Sequence, residues 1–226
     1  TRWQANDVHG PSRVADPSRY QWRSAGWQGR PWQETVLYEV HVGTLGGYQA
    51  AQTRLQELAD LGVTAIELMP LGEFPGGRNW GYDGVLPFAP DSSYGTPDQL
   101  RALIDHAHEL GLMVFIDVVY NHFGPDGNYL GQYASDFFRE DVHTPWGPAI
   151  DFRRRQVRDY FIDNALMWVH DYRVDGLRFD AVHAIGERDF LLELAERLRT
   201  SIPASRHLHL VLENEHNDAE LLQQGF

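Results

Sequence analysis

The 226-residue chain contains no cysteine. That excludes disulfides, thiolate zinc sites and cysteine nucleophiles, and leaves the redox compartment open. Long apolar runs are missing too, and none approaches the ~20 residues that a membrane-spanning helix needs. Basic residues are scarce, 19 against 32 acidic ones, for a formal net charge of −13. Charge of that sign argues against nucleic acid and anionic membranes as partners. The opening residues, TRWQANDVHG, carry neither an initiating Met nor a basic-then-apolar signal pattern. The chain is therefore expected to begin inside a longer gene product. Several catalytic signatures are also absent. No G-x-G-x-x-G follows the first expected strand, no H-E-x-x-H suggests zinc hydrolysis, and no G-x-S-x-G supplies an esterase elbow.

What remains is globular. Hydrophobic residues make up 42% and charged residues 23%, which excludes a mainly disordered chain. Seven Trp are available either to fill a core or to present flat faces to sugars. Residues 1–34 are rich in Trp, Arg, Gly, Pro and Ser without a steady period. They read as an irregular linker following a domain outside this sequence. From there strand-like and helix-like stretches alternate. Residues 36–42 (VLYEVHV), 64–69, 112–120 (LMVFIDVVY), 176–182 and 208–212 read as strands. Residues 50–61, 97–110, 154–172 and 187–200 read as helices, with Gly62 and Gly111 as stops and Thr96 as a cap before Pro97.

That alternation predicts an α/β fold with a parallel sheet and right-handed crossovers. A doubly wound sheet and a (β/α)8 TIM barrel both fit. The missing phosphate-binding loop weakens the first. Polar residues at the C-terminal ends of the strands, Asp117, Arg178, Asp180 and Glu213, favour the second. About five of eight strands are accounted for, so residues 35–226 are expected to form the N-terminal part of a catalytic barrel.

Arg178 and Asp180 are two residues apart, which on a strand points both side chains the same way. A guanidinium there orients a carboxylate that can attack an electrophilic carbon, or it makes a structural pair at a strand end. Glu213 ends the next strand. Neighbouring strands lie ~4.8 Å apart, which suits the ~5–5.5 Å between the two carboxyl groups of a retaining glycosidase. The alternative is that Glu213 simply adjoins a loop. Asp117 and His122 in DVVYNH have the chemistry to hold sugar hydroxyls. Asn121 and His122 leave a calcium reading open, although no dense Asp-x-Asp loop is present. Tyr82 in NWGYDG would either stack on a sugar face or pack internally. His183, three residues after Asp180, is the most promising of the eleven His.

Taken together and in this order, DVVYNH (117–122), GLRFDAVH (176–183) and LVLENE (210–215) resemble three motifs of the α-amylase family of retaining glycoside hydrolases. The resemblance covers residues 36–226. It implies that Asp180 is the nucleophile and Glu213 the general acid/base. It also implies that Tyr82, Asp117, His122, Arg178 and His183 bind the sugar at the cleavage point. The backbone of Phe179, Ala181 and Val182 would share that floor. YEVHVGT, NWGYDG, FGPDGNYL, TPWGPAIDF, VLENEHND and the early VHGPSRV are similar to one branch of the family. That branch cleaves the α-1,4 bond next to the terminal trehalose of a maltooligosyl trehalose and releases trehalose. The alternative is the glucan-branching branch, α-1,4 to α-1,6 transfer, which shares YEVHVGT-like and GYD segments. Either implies a maltooligosaccharide substrate, no nicotinamide, flavin or required metal, and a cytoplasmic setting. A non-catalytic glucan binder is a third reading, disfavoured because binding alone needs no nucleophile. In two respects the sequence departs from the family. Its fourth motif, with a third catalytic Asp, is expected beyond residue 226, and the loop GTLGGYQAA is shorter than relatives usually carry.

Overall fold

The computed structural model describes residues 1–216 and 219–226. Among the described residues the strands are β1 (Leu37–Val40), β2 (Ala65–Leu68), β3 (Gly72–Glu73), β4 (Leu86–Pro90), β5 (Met113–Val118), β6 (Phe138–Thr144), β7 (Gly147–Ile150), β8 (Gly176–Phe179) and β9 (His209–Leu212). The α-helices are α1 (Tyr48–Gln52), α2 (Leu55–Leu61), α3 (Pro97–Glu109), α4 (Leu130–Tyr133), α5 (Arg155–Asp171), α6 (Arg188–Thr200) and α7 (Glu220–Gln223). One parallel sheet runs in the order β1-β2-β5-β8-β9, each stave beside the next one in sequence. This is five consecutive staves of a (β/α)8 barrel. Two antiparallel hairpins, β3–β4 and β6–β7, sit in the excursions that follow β2 and β5. The sequence reading held neither, because both are short pairings inside loops.

Strand period two sorts the side chains. Ile66, Leu68, Val114, Ile116, Leu177, Phe179 and Leu210 belong to the large core shared with α3, α5 and α6. The opposite face is the barrel interior, where Ala65, Met113 and Phe115 form a small cluster capped by Trp27. Phe115 faces Gly176 in register. A Cβ at Gly176 would lie 2.2 Å from two Phe115 ring atoms, so glycine is required for the ring to fill that space. All of β5 is buried, which is why its sequence is an apolar run rather than an alternation.

Local chemistry sets the boundaries. Thr96 and Gln99 form a reciprocal capping box, with Pro97 in the first turn of α3. The helix expected over 50–61 is two pieces, because the Thr53 hydroxyl and N–H both bond the Ala50 carbonyl and close the first turn early. The strand expected over 176–182 stops at Phe179. Ala181 then turns left-handed at φ 44° and starts a 3-10 turn over Val182–Ala184.

Residues 1–34 hold 3-10 turns and one isolated bridge, yet they are docked. The Asp105 carboxylate, on α3, accepts from the Arg23 and Ser24 N–H groups and from the Tyr20 and Ser24 hydroxyls. Burial raises its pKa, but those donors outweigh burial and hold it at about 2. Trp27 donates to Asp175 at 2.8 Å and stacks on His108. The segment closes the N-terminal end of the staves.

Candidate active site

β5 and β8 place Asp117 opposite Arg178 in register, both facing the barrel interior at the C-terminal end of the sheet. Arg178 Nη1 donates to Asp117 Oδ2 at 2.7 Å and to Asp180 Oδ1 at 2.9 Å. Its Nη2 lies 3.9 Å from Glu213 Oε2. One guanidinium thus joins carboxylates carried by three neighbouring staves. Asp180 and Glu213 share one side of the sheet end.

Asp180 Oδ2 accepts from Asn121 Nδ2 at 2.9 Å, and the same amide reaches the Asp180 carbonyl. The Asn121 amide oxygen accepts from His122 Nδ1 at 2.5 Å. Asn121 therefore serves the carboxylate of Asp180. Among the described residues no group of three or more His, Asp or Glu could hold a metal ion. Burial lowers the His122 pKa against the opposing pull of the Tyr82 backbone and Asp180. Its ring stacks on Trp146, centroids 4.5 Å apart, at the exposed turn between β6 and β7.

Asp117, for which sugar hydroxyls are the expectation, is 1% exposed, and its Oδ1 has no hydrogen-bond partner among the described residues. Its Oδ2 is occupied by the Tyr82 hydroxyl at 2.9 Å and by Arg178. A carboxylate so deep anchors those two groups from beneath. Burial, with smaller pushes from Asp180 and Glu67, outweighs Arg178 and Tyr82 and raises its pKa to about 7. Burial and then Asp117 push the Tyr82 phenol upward as well. Glu67 lies in the interior below, its pKa raised by burial. A charged residue in the middle of the apolar run AIELM was the available signal for it.

Glu213 is tied to the β8 exit by three hydrogen bonds. Its N–H donates to the Phe179 carbonyl at 3.0 Å, and its carbonyl accepts from Val182 N–H at 3.1 Å. Its Oε2 accepts from Ala181 N–H at 2.8 Å. Phe179, Ala181 and Val182 have buried side chains, so only their backbone faces the site. His183 follows on the 3-10 turn after β8, with Nε2 3.6 Å from Glu215 Oε1 and its ring beside His216. The last two residues of the VLENEHND run, Asn217 and Asp218, lie outside the described residues. Trp146 was not singled out from the sequence, and Asn121 only as a candidate calcium ligand, because ring stacking across loops and pairing over 59 residues leave no local pattern.

Comparison with known proteins bears on this geometry. Residues 11–142 match the family model "Alpha amylase, catalytic domain". The malto-oligosyltrehalose trehalohydrolase of Deinococcus radiodurans is 44% identical over 223 residues, covering 96% of this chain and 36% of the relative. A crystal structure described as an alpha amylase from Salmonella typhimurium superposes with a TM-score of 0.94 at 49% identity, covering 96% of this chain and 38% of the other. The 1,4-alpha-glucan branching enzyme GlgB of Corynebacterium glutamicum is 36% identical, covering 81% of this chain and 27% of the relative. The chain thus spans under two-fifths of the length of each. With the barrel staves, the shared guanidinium and these matches in agreement, this chain belongs to the α-amylase family.

Proposed function

We propose that this chain supplies the nucleophile and the acid/base of a retaining glycosidase that releases trehalose from maltooligosyl trehalose. The observation carrying the reading is Arg178, which holds Asp180 and faces Glu213 at adjoining strand ends. Attack by an Asp180 oxygen on the anomeric carbon breaks its bond to the leaving oxygen, which takes a proton from Glu213. The products are a glycosyl ester on Asp180 and free trehalose. Glu213 then takes a proton from water, whose oxygen displaces Asp180 and leaves the configuration retained. Arg178 and Asn121 orient the two oxygens of Asp180. The Ala181 N–H occupies Oε2 of Glu213, so the transferred proton belongs on Oε1.

Tyr82 supplies the ring under the reacting sugar, braced through its hydroxyl by Asp117. Arg178, His122 and His183 line the same sugar. Residues 1–34 connect to a preceding domain, and the reaction belongs in the cytoplasm on storage-glucan ends. The 36% identity to a branching enzyme favours a second reading, transfer of the glucan to an α-1,6 position. Incubating the intact protein with maltotriosyl trehalose separates the two. Free trehalose supports hydrolysis, whereas new α-1,6 branches without trehalose support transfer. Asp180→Asn should lower kcat at least about a thousandfold with the fold intact. Normal turnover by that variant would remove Asp180 from the mechanism.

A further inference from the structure

Outside the site just described, residues 3–13 form a closed loop on the protein. A bridge pairs Gln4 with Ser12, and the Ala5 N–H donates to the Pro11 carbonyl at 2.9 Å. The buried Gln4 amide braces the loop from within, its Nε2 donating to the Asp7 carbonyl at 2.9 Å and to the Gly10 carbonyl at 2.7 Å. At the tip the Asp7 backbone is left-handed, φ 51°. Outside glycine such a backbone is costly and persists where its surroundings demand it. Here the demand comes from the excursion that follows β2. The Asp7 N–H donates to the Ser92 hydroxyl at 3.2 Å, and its Oδ2 accepts from the Gly76 N–H at 3.2 Å. Ser92 is fixed in turn, its N–H and hydroxyl each donating to the buried Glu73 carboxylate at 2.7 Å. Val8, also buried, reaches the excursion that follows β5. A Cβ at Gly127 would lie 2.6 Å from Val8 Cγ2 and 3.2 Å from Val85 Cγ2, so the tip packs where the two excursions meet. His9 extends the contact, its Nδ1 3.2 Å from the Tyr129 hydroxyl and its Nε2 3.6 Å from Asp126 Oδ1.

We infer that residues 3–13 are a positioning strap for the glycosidase site, whose tip residues Asp7 and Val8 lock the excursions after β2 and β5 in the placement that sets Tyr82 against Asn121 and His122. The inference rests on the glycosidase reading and adds what aligns its parts. The first excursion carries Tyr82, and the second begins at Asn121 and His122. The two touch close to those side chains. The Gly124 N–H donates to the Gly84 carbonyl at 3.1 Å, and a Cβ at Gly124 would lie 2.0 Å from the Asp83 carbonyl oxygen. A junction made of two glycines has no side chains to hold its register. The strap supplies that hold, gripping one excursion through Gly76 and Ser92 and the other through Gly127. Asn121 orients the nucleophile and Tyr82 underlies the reacting ring, so a slip between the excursions changes the angle at which the Asp180 oxygen meets the sugar. Asp7 and Val8 touch no reacting atom. They act through the two loops, on kcat more than on KM.

Two measurements on the intact protein test this. On maltotriosyl trehalose, Asp7→Ala should lower kcat about tenfold and leave KM within about twofold. Asp7→Asn tolerates the left-handed backbone and keeps an oxygen for the Gly76 N–H, so it should recover most of the loss. Val8→Ala should behave as Asp7→Ala does. Amide hydrogen exchange needs no turnover. In the Asp7→Ala protein it should quicken over residues 79–84 and 121–127, while β5 and β8 keep their wild-type rates. Unchanged kcat, a loss confined to KM, or faster exchange spread through the whole barrel would overturn the assignment. Absence of trehalose release by the wild-type protein, with exchange in both loops still dependent on Asp7, would overturn the hydrolase reading and leave the strap in place.

Discussion

Asp117 gives the sharpest quantitative test of the site. Its carboxyl titrates at about 7 in the folded chain against 3.8 as a model carboxylate, because burial outweighs the help of Arg178 and Tyr82. The gap is about three pH units, and at ~1.4 kcal/mol per unit the folded state disfavours the ionised form by roughly 4 kcal/mol. The folded chain holds this proton more tightly than the unfolded chain. The stabilising contribution is therefore complete below about pH 4 and is lost as pH rises through about 7. Asp117→Asn removes the titration and keeps an oxygen to accept from Arg178 and Tyr82. Urea unfolding of both proteins at pH 5, 6, 7 and 8, followed by Trp fluorescence, isolates the effect, since the other titrations are common to both. From pH 5 to 8 the balance should move toward the variant by roughly 2–3 kcal/mol. At pH 8, where the wild-type carboxyl is ionised, the variant's activity should fall, because Arg178 loses the charge that anchors it beneath Asp180. Parallel stability curves, or a wild type that gains on the variant as pH rises, would refute the reasoning.

Two further outcomes follow from the same contacts. Glu213→Gln keeps an acceptor for the Ala181 N–H but carries no acidic proton, so kcat on maltotriosyl trehalose should fall by roughly 10²–10⁴. The initial burst of fluoride from α-maltosyl fluoride, whose leaving group needs little protonation, should largely survive, and its parallel loss would count against the acid role. Gly176→Ala forces a methyl group onto the Phe115 ring and should lower stability by about 1–3 kcal/mol in thermal melting. Adding Phe115→Leu should recover much of that loss, and no recovery would show that the clash lies elsewhere.

Much of the scaffold could be read from residues in a row. The apolar run of β5 marked a strand covered on both faces, and Thr96-Pro97 marked the start of α3. The alternation of strand and helix led to a parallel barrel, and the five-stranded sheet has that order. The hairpins β3–β4 and β6–β7 escaped because a pairing of a few residues in a loop has too little period to register. The docking of residues 20–30 escaped because nothing in an irregular sequence states which buried carboxylates it will meet.

The candidate site divides along the same line. Sequence by itself determined which acids stand at strand ends and that Arg178 and Asp180 point alike, since a two-residue period is a property of the backbone. Only the tertiary structure decided that Asp117 lies under the guanidinium, that Asn121 steadies Asp180, and that the left-handed turn at Ala181 aims an N–H at Glu213. Periodicity acts over a few residues and can be read in place. Burial and hydrogen-bond partnership arise between staves about 30 to 60 residues apart and exist only once the sheet has set their register.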